Sequence, residues 1–230
     1  MALGKNYLII ILIKSERKEI KMNGKNIEYN DLILKVCSHS IYKALKTRLG
    51  KETAKMSFVK IKQEYRNILS DFPDVGKNTL TDMAYLGAML IAIWLGTDKQ
   101  FSVNEMKVIN GEILVSFKWM FNLINLNKSN GKKKFKKEIL SYMKWIEQEG
   151  DKYPNKWEGY IDESVTKGVK YVFTKCPLRD YCESHNYLEI LPSLCYQDYC
   201  MMEMMHSILE RNQTLATGEF CDFWLYGDKE

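Results

Sequence analysis

The chain has 230 residues, of which 46% are hydrophobic, so it can bury a sizeable core and is neither disordered nor of low complexity. Its formal net charge of +5 is unevenly distributed, because residues 176–230 carry three basic and ten acidic side chains whereas residues 1–175 carry 31 and 19. The densest basic run, "KSNGKKKFKKE" at 128–138, contains one aromatic residue and no nucleic-acid-binding motif. We therefore expect a solvated helix start in this run and no nucleic-acid partner.

The first strongly apolar run is Tyr7–Ile13, seven residues where a membrane-spanning helix needs about 20. The lysine-rich "KSERKEIK" follows it in place of the small-residue cleavage site of a signal peptide. The six cysteines are too unevenly placed for a small disulfide scaffold. These features predict a cytoplasmic protein with free thiols and no membrane partner, and we interpret residues 1–21 as a candidate extension before a start at Met22.

Helical patterns dominate the first two thirds of the chain. Apolar residues recur there at the spacing of one helix face, and Asn, Asp and Thr stand at several of the starts as capping residues. The third of these segments is apolar on all sides, as a buried helix is. The patterns predict helices over 30–48, 53–70, 78–96, 103–126 and 132–149.

Around Trp157 the hydrophobic period changes to that of strands. Residues 156–164 and 169–176 predict two short strands joined by a turn at 165–168, because apolar and polar residues alternate in the second of them. The aromatic segment 221–227 predicts a third strand of the same sheet. The back of the chain is therefore expected to form a small antiparallel sheet.

Residues 192–211 predict a helix between the second and third strands, with Pro192 in its first turn. The fold class that follows is α+β, with a mainly helical front, a small antiparallel sheet and a carboxyl-terminal site helix. We predict a single domain over 22–230, whose helical part covers about 22–150 and whose sheet and site part covers about 151–230.

The helix predicted over 192–211 concentrates reactive side chains. At 100° per residue, Cys195, Asp198 and His206 share one stripe, and a carboxylate among apolar stripe positions needs a partner or a role. His206 would lie about 16 Å along the axis from Cys195, too far for a direct dyad. Cys and Met also fill protein cores, so a packing stripe is the rival interpretation. A mixed metal site of Cys195, Asp198 and Cys221, and hence a divalent metal as cofactor, stays open, although no standard metal-binding spacing is present.

Three motifs occur in a characteristic order: "FTKCPLRDYC" (173–182), "LPSLCYQDYCMMEMMH" (191–206) and "RNQTLATGEFCDFWL" (211–225). In this order they resemble the L-2-amino-thiazoline-4-carboxylic acid hydrolase family, in which a strand ending in Cys precedes a "C..D" helix, an Arg-x-x-Thr-x-Ala-x-Gly segment and a terminal "CDF" strand. The resemblance is strongest over these motifs, and the front of the chain agrees with it in length and helical character.

The resemblance implies a hydrolase that opens a small cyclic amidine. Water adds at the ring carbon between sulfur and nitrogen, and the C–N bond breaks to give an S-carbamoyl cysteine-type product. Such chemistry needs a nucleophile or an activated water, an acid for the departing nitrogen and a cation for the substrate carboxylate. The implied catalytic residues are Cys195 or Cys221 as nucleophile, Asp198 as base or amidinium partner, and His206 as proton donor. The implied substrate-binding residues are Arg211 as carboxylate clamp, with Arg179 in reserve, and Thr214, Thr217 and Gly218 in a loop that closes the pocket.

Two other classes of function remain open at this point. A non-catalytic module would bind a small sulfur-containing or acidic ligand without consuming it. A metal- or cluster-binding protein would depend on several cysteines together. The hydrolase interpretation instead predicts a small-molecule substrate and makes one thiol and one carboxylate each essential, while the oligomeric state is left undetermined by the sequence.

Overall fold

The computed structural model describes the backbone of residues 17–22 and 25–230 and the side chains from Ile33 onward. Of the candidate extension, residues 1–16 lie outside the described part. Its last five residues belong to a strand that pairs in antiparallel register with the strand after it. The sequence patterns did not predict this hairpin, and the status of residues 1–21 as an extension stays a prediction.

The helices and strands of the described residues are numbered here in chain order. They are β1 Arg17–Met22, β2 Lys25–Asn30, α1 Asp31–Leu49, α2 Lys51–Asp71, α3 Thr81–Gly96, α4 Val103–Leu114, α5 Lys118–Phe121, α6 Ser129–Glu149, β3 Glu158–Asp162, β4 Val169–Lys175, α7 Pro177–Ser184, α8 Leu191–Met204, β5 Ser207–Glu210 and β6 Cys221–Gly227. Short 3-10 turns follow α4 and α6 and precede α8. The α+β fold class is confirmed.

The first of two compact units comprises the described residues up to Phe72 together with Tyr85–Ser102. Its helices bury an aliphatic core in which Ile41 and Ile61 are inaccessible to solvent. Gly96 lies against α2 so closely that a Cβ there would stand 2.6 Å from the backbone nitrogen of Ile61. A residue without a side chain is therefore needed at this contact between α2 and α3.

The second unit comprises Pro73–Ala84 and Val103–Glu230 and contains the four-stranded antiparallel sheet, in the order β3-β4-β6-β5. All three predicted strands belong to this sheet, and the third of them, β6, lies beside β4 as expected. The strand β5 closes the other side of β6 and was not predicted as a strand. Because β4 pairs with Cys221–Leu225 and β5 with Trp224–Gly227, the middle of β6 has a strand on both sides, and its start has β4 on one side.

Aromatic residues of β4 and β6 form the centre of this sheet. Tyr171 is paired with Phe223 in the strand register, and their rings stack with centroids 4.6 Å apart. Phe173 is paired with Cys221, and the ring of Tyr142 from α6 meets Phe173 edge-on at 6.1 Å. Such stacked and edge-on pairs bury large apolar areas, so they fix the position of the β6 start relative to α6.

Two predicted helices differ from the observed ones. The helix predicted over 103–126 ends at Leu114 and is followed by a 3-10 turn and the short α5. The helix predicted over 192–211 ends at Met204, because His206 takes a left-handed φ of 55° and the last turn tightens into bonds from residue 206 to residue 203. Residues 207–210 alternate buried and exposed as β5, since β6 satisfies their backbone groups.

Within the described part of the chain, no helix has the length and apolar character that a membrane crossing requires. The helix α7 was missed by the sequence patterns. It begins directly after Cys176 with Pro177 at its first position, which Pro favours because its missing N–H would have no helical partner there. As a result, the segment 173–182 is a strand followed at once by a helix.

Candidate active site

Four elements of the second unit bring reactive side chains together. The helix α8 supplies Cys195 and Asp198, and the start of β6 supplies Cys221. Arg211 directly follows β5, and Cys176 stands between β4 and α7. Interactions among the charged groups and thiols link all five residues. The structure thus places four of the predicted site residues in one cluster and adds Cys176 to it.

Arg211 connects the helix and strand sides of this cluster. Its Nη2 donates to Asp198 Oδ2 at 2.6 Å, its Nη1 to the Cys195 carbonyl at 3.1 Å, and its Nε to the Asp222 carbonyl at 3.2 Å. The guanidinium also lies 4.1 Å from the centroid of the Phe223 ring, in cation–π contact. A planar fork with fixed donors suits this role, because one group holds two backbones and a carboxylate at once.

The Arg211–Asp198 pair is accessible from the carboxylate side. The side chain of Arg211 is 2% exposed and that of Asp198 is 26% exposed. A ligand entering this region would therefore meet the Asp198 carboxylate, with the guanidinium behind it. Burial raises the pKa of Asp198 above its ordinary value, while the neighbouring Arg211 acts in the opposite direction.

The thiols of Cys195 and Cys221 lie beside one another, so the ionisation of one affects the other. Cys221 is 8% exposed and Cys195 is half-buried. A hydrogen bond reaches Cys221 from the Leu215 N–H, whose nitrogen is 3.1 Å from the Cys221 sulfur. The two cysteines thus differ, since among the described contacts only the Cys221 sulfur accepts a bond from a backbone N–H.

The surroundings of the two sulfurs set the order in which these thiols ionise. The neighbouring Cys195 thiol lowers the pKa of Cys221 below the ordinary thiol value, and the Leu215 N–H and the Arg211 charge act in the same direction against burial. The neighbouring Cys221 raises the pKa of Cys195, and burial and the Asp198 charge add to this increase. Because the thiolate is the nucleophilic form of cysteine, the backbone donor at Cys221 favours Cys221 as the nucleophile.

Cys176 is a third thiol beside this pair. Burial raises its pKa to about 12, although the nearby backbone N–H groups of Arg179 and Leu178 act in the opposite direction. Cys176 therefore remains protonated at neutral pH. It lines the site as an uncharged group beside Cys221.

The loop predicted to close the pocket forms a compact turn. The N–H groups of Thr217 and Gly218 both donate to the Thr214 carbonyl, at 3.0 and 2.8 Å. A Cβ at Gly218 would lie 2.0 Å from the side-chain oxygen of Gln213, so a larger residue would displace that oxygen from its bond with the Glu219 N–H. Thr214, Thr217 and Gly218 thus shape the segment that carries the Leu215 N–H to Cys221.

His206 lies outside the cluster. It follows the end of α8, its side chain is 46% exposed, and its Nδ1 is 3.9 Å from a carboxylate oxygen of Asp228. None of the described contacts of Cys195, Asp198 or Cys221 involves His206. The predicted stripe failed at this position because the helix ends two residues earlier.

Besides Cys176, sequence reasoning missed Asp222 as a site residue. Asp222 is 6% exposed, and its carboxylate accepts hydrogen bonds from the backbone and side chain of Asn212 and from the backbone of Gln213. The only signal in the sequence was its place next to Cys221 in the "CDF" motif. A carboxylate adjacent to a candidate nucleophile on a buried strand was a sufficient reason to ask what it binds.

The described residues include no group of three or more His, Cys, Asp or Glu side chains arranged to hold a metal ion. What the cluster offers is an activated thiol, a thiol that can donate a proton and a carboxylate held by a guanidinium. These are the parts that a covalent hydrolysis at a small electrophilic carbon requires.

A family model described as L-2-amino-thiazoline-4-carboxylic acid hydrolase matches residues 83–225. This span covers more than half of the chain and contains every residue of the cluster. No curated protein and no solved structure matches the chain.

Proposed function

Because the chain belongs to the L-2-amino-thiazoline-4-carboxylic acid hydrolase family, we propose that it is a hydrolase that opens a small cyclic amidine such as L-2-amino-thiazoline-4-carboxylate. The observation that carries the proposal is the Cys221 sulfur, which accepts a hydrogen bond from the Leu215 N–H at 3.1 Å and lies beside the Arg211 guanidinium and the Cys195 thiol. These neighbours favour the thiolate over the thiol, so they prepare a nucleophile.

In the proposed reaction, the Cys221 thiolate adds to the ring carbon between sulfur and nitrogen. The ring C–N bond breaks, and the departing nitrogen takes the proton of the Cys195 thiol. Water then adds to the same carbon; one of its protons returns to Cys195 and the other passes to the released amine. Cys221 is released as thiolate, and the product is an S-carbamoyl cysteine with an ammonium group.

Asp198 is the proposed partner of the amidine. Its carboxylate is the exposed member of the pair with Arg211, and an amidine in its cationic form binds a carboxylate through two parallel N–H donors. Arg211 keeps that carboxylate oriented, since three of its nitrogens already donate to Asp198 and to two carbonyls. For the substrate carboxylate we therefore turn to Arg179, which is more exposed and stands at the start of α7 near Cys176.

Turnover of L-2-amino-thiazoline-4-carboxylate by the purified protein tests the proposal. Chromatography identifies the product, and a thiol reagent distinguishes the two ring openings, since C–N cleavage releases no free thiol whereas C–S cleavage does. We expect an S-carbamoyl product and no new thiol. Parallel assays with a chelator establish whether a divalent metal takes part.

Cys221→Ala supplies the residue-level test, and Cys200→Ala is its matched control, because Cys200 is a half-buried thiol on the other side of α8. Cys221→Ala should lower kcat/KM by about 1,000-fold or more at unchanged folding, and Cys200→Ala should leave it unchanged. If folded wild-type protein forms no product, the hydrolase proposal is wrong for this substrate. Calorimetry with the same compound and metal analysis of the purified protein then test the ligand-binding and metal-binding alternatives.

A further inference from the structure

Asp222 holds the segment between Arg211 and Cys221 by its carboxylate. Oδ1 accepts from the backbone nitrogens of Asn212 and Gln213 at 3.0 and 2.9 Å, and Oδ2 accepts from the backbone and side-chain nitrogens of Asn212 at 3.0 and 2.8 Å. Two successive backbone N–H groups thus point at one buried carboxylate. This arrangement fixes where the chain turns after β5.

Two other bonds depend on that turn. Three residues after Asn212, the Leu215 N–H donates to the Cys221 sulfur at 3.1 Å. One residue before it, the Arg211 Nε donates to the carbonyl of Asp222 itself at 3.2 Å. Asp222, which follows Cys221 in the chain, therefore determines where the Leu215 N–H lies. This N–H reaches Cys221 from the far side of the loop.

We propose that Asp222 is a positioning residue whose carboxylate folds residues 212–215 so that the Leu215 N–H is held on the Cys221 sulfur. The catalytic meaning of this role rests on the proposed function, because that function makes Cys221 the nucleophile. The geometric role does not depend on any substrate. Reactivity of Cys221 measured without substrate therefore tests the role separately from the reaction.

Asp222 could act on Cys221 as a negative charge or as a positioning residue, and the groups around Cys221 allow these two actions to be separated. The titratable and charged groups facing the Cys221 sulfur are Cys195 and Asp198 on α8, Arg211 after β5, Cys176 after β4 and Tyr171 on β4. The hydrogen bonds from Gln213 and Asn212 outweigh burial and hold the pKa of Asp222 below its ordinary value, so Asp222 is a full negative charge at neutral pH. As a nearby charge, Asp222 would disfavour the thiolate. As a positioning residue, it favours the thiolate through the Leu215 N–H.

Two substitutions at Asp222 test this difference in sign. Asp222→Asn removes the charge, but its amide oxygen can still accept from the N–H groups of Asn212 and Gln213 once the Asn212 amide is turned over. Asp222→Ala removes the charge and both acceptors. The measurement is the rate of iodoacetamide alkylation at Cys221 as a function of pH, with the modified residue located by mass spectrometry.

We expect Asp222→Ala to slow the alkylation of Cys221 at neutral pH by about tenfold, the effect of losing one hydrogen bond to a charged group. Asp222→Asn should retain most of the wild-type rate. Faster alkylation in both variants would overturn the proposal, because it would mean that Asp222 acts only as a negative charge. Equal rates in wild type and Asp222→Ala would overturn it as well.

Asp74→Ala is the control for loss of a turn carboxylate elsewhere in the second unit. Asp74 accepts from the Gly76 N–H at 2.8 Å, and its described contacts include none of residues 212–222. Its substitution should leave the alkylation rate of Cys221 unchanged. Alkylation of Cys200 serves as an internal reference in every variant.

Asn212→Ala covers the case in which Asp222→Ala does not fold. It deletes only the 2.8 Å bond from the Asn212 side chain and should slow Cys221 alkylation about twofold to threefold, as partial loss of one hydrogen bond would. Hydrogen exchange gives a second readout, since the Leu215 amide should lose protection in Asn212→Ala. Unchanged alkylation together with unchanged protection in Asn212→Ala would overturn the proposal.

Discussion

The buried polar groups on the two sides of α8 differ in whether they have hydrogen-bond partners. On the side of Cys195 and Asp198, three donors of Arg211 reach a carboxylate and two carbonyls. On the side that faces α4, Gln197 donates to two carbonyls but its own carbonyl oxygen has no hydrogen-bond partner among the described residues. Asn110 of α4 is wholly buried, and neither atom of its amide has such a partner.

The buried polar groups on the Arg211 side are thus hydrogen-bonded, whereas those on the α4 side are buried without all of their partners. A buried group without a hydrogen bond costs stability, and none of the described residues on the α4 side supplies the missing partners. On the Arg211 side the bonds also hold the Asp198 carboxylate and the backbone of Cys195 in place. Substitutions on the two sides should therefore differ in the sign of their effect on stability as well as in their effect on activity.

The largest expected effect is the loss of the guanidinium in Arg211→Met. The change leaves Asp198 without its partner and two carbonyls without donors, which we expect to lower the free energy of unfolding by about 3 kcal/mol. Urea denaturation at pH 7 measures this effect. The comparison fails if Arg211→Met unfolds at the same urea concentration as the wild-type protein.

Arg179→Met is the matched control for this change. Arg179 pairs with Asp180 and Glu183, and its side chain is 35% exposed. Exposed ion pairs contribute roughly 0–1 kcal/mol, so Arg179→Met should cost less than about 1 kcal/mol. A larger loss in Arg179→Met than in Arg211→Met would contradict the account given for the buried pair.

A smaller effect is expected in the pH dependence of activity. The lowered pKa of Cys221 places the rising limb of kcat/KM below the ordinary thiol value of about 8.5. Cys195→Ala removes the neighbouring thiol that lowers this pKa, so the midpoint of Cys221 alkylation by iodoacetamide should move to higher pH by about one unit. Because Cys195 is also the proposed proton donor, kcat/KM of this variant should fall at every pH. The pH profile of the alkylation rate measures the shift, and a midpoint that stays in place or moves to lower pH would exclude Cys195 as the group that lowers the pKa of Cys221.

The smallest effect is expected on the side facing α4. Asn110→Leu replaces an amide without partners by an apolar side chain of similar size, which should raise the free energy of unfolding by about 1 kcal/mol at unchanged kcat/KM. Thermal and urea denaturation measure the stability. A loss of stability or of activity in Asn110→Leu would show that the two sides of α8 are not separated as described.

Much of the fold could be predicted because its signals are local. The helical periods of α1, α2, α3 and α6 and the alternation of β4 are properties of short stretches of sequence. The strand β5 was missed because residues 207–210 follow an apolar run of good helix formers. What makes them a strand is pairing with β6, a non-local contact that no local pattern contains.

The site was predictable to the extent that it depends on residue type and order. Cys195, Asp198, Arg211 and Cys221 were all singled out, and the structure brings these four together. The order of the two thiols was not predictable, because it follows from which sulfur accepts the Leu215 N–H. The role of Asp222 depends on the same turn and was inaccessible for the same reason.

The bonds made by Arg211 also bear on how the protein refolds. Its partners Asp198, Cys195 and Asp222 are 13, 16 and 11 residues away along the chain, whereas the bond between Asn127 and Asp228 spans 101 residues. The entropy lost on closing a loop grows with its length, so short-range contacts form from the unfolded chain at lower cost. In refolding experiments, the backbone amides of residues 195–222 should therefore reach their native protection from hydrogen exchange before the bond between Asn127 and Asp228 is made.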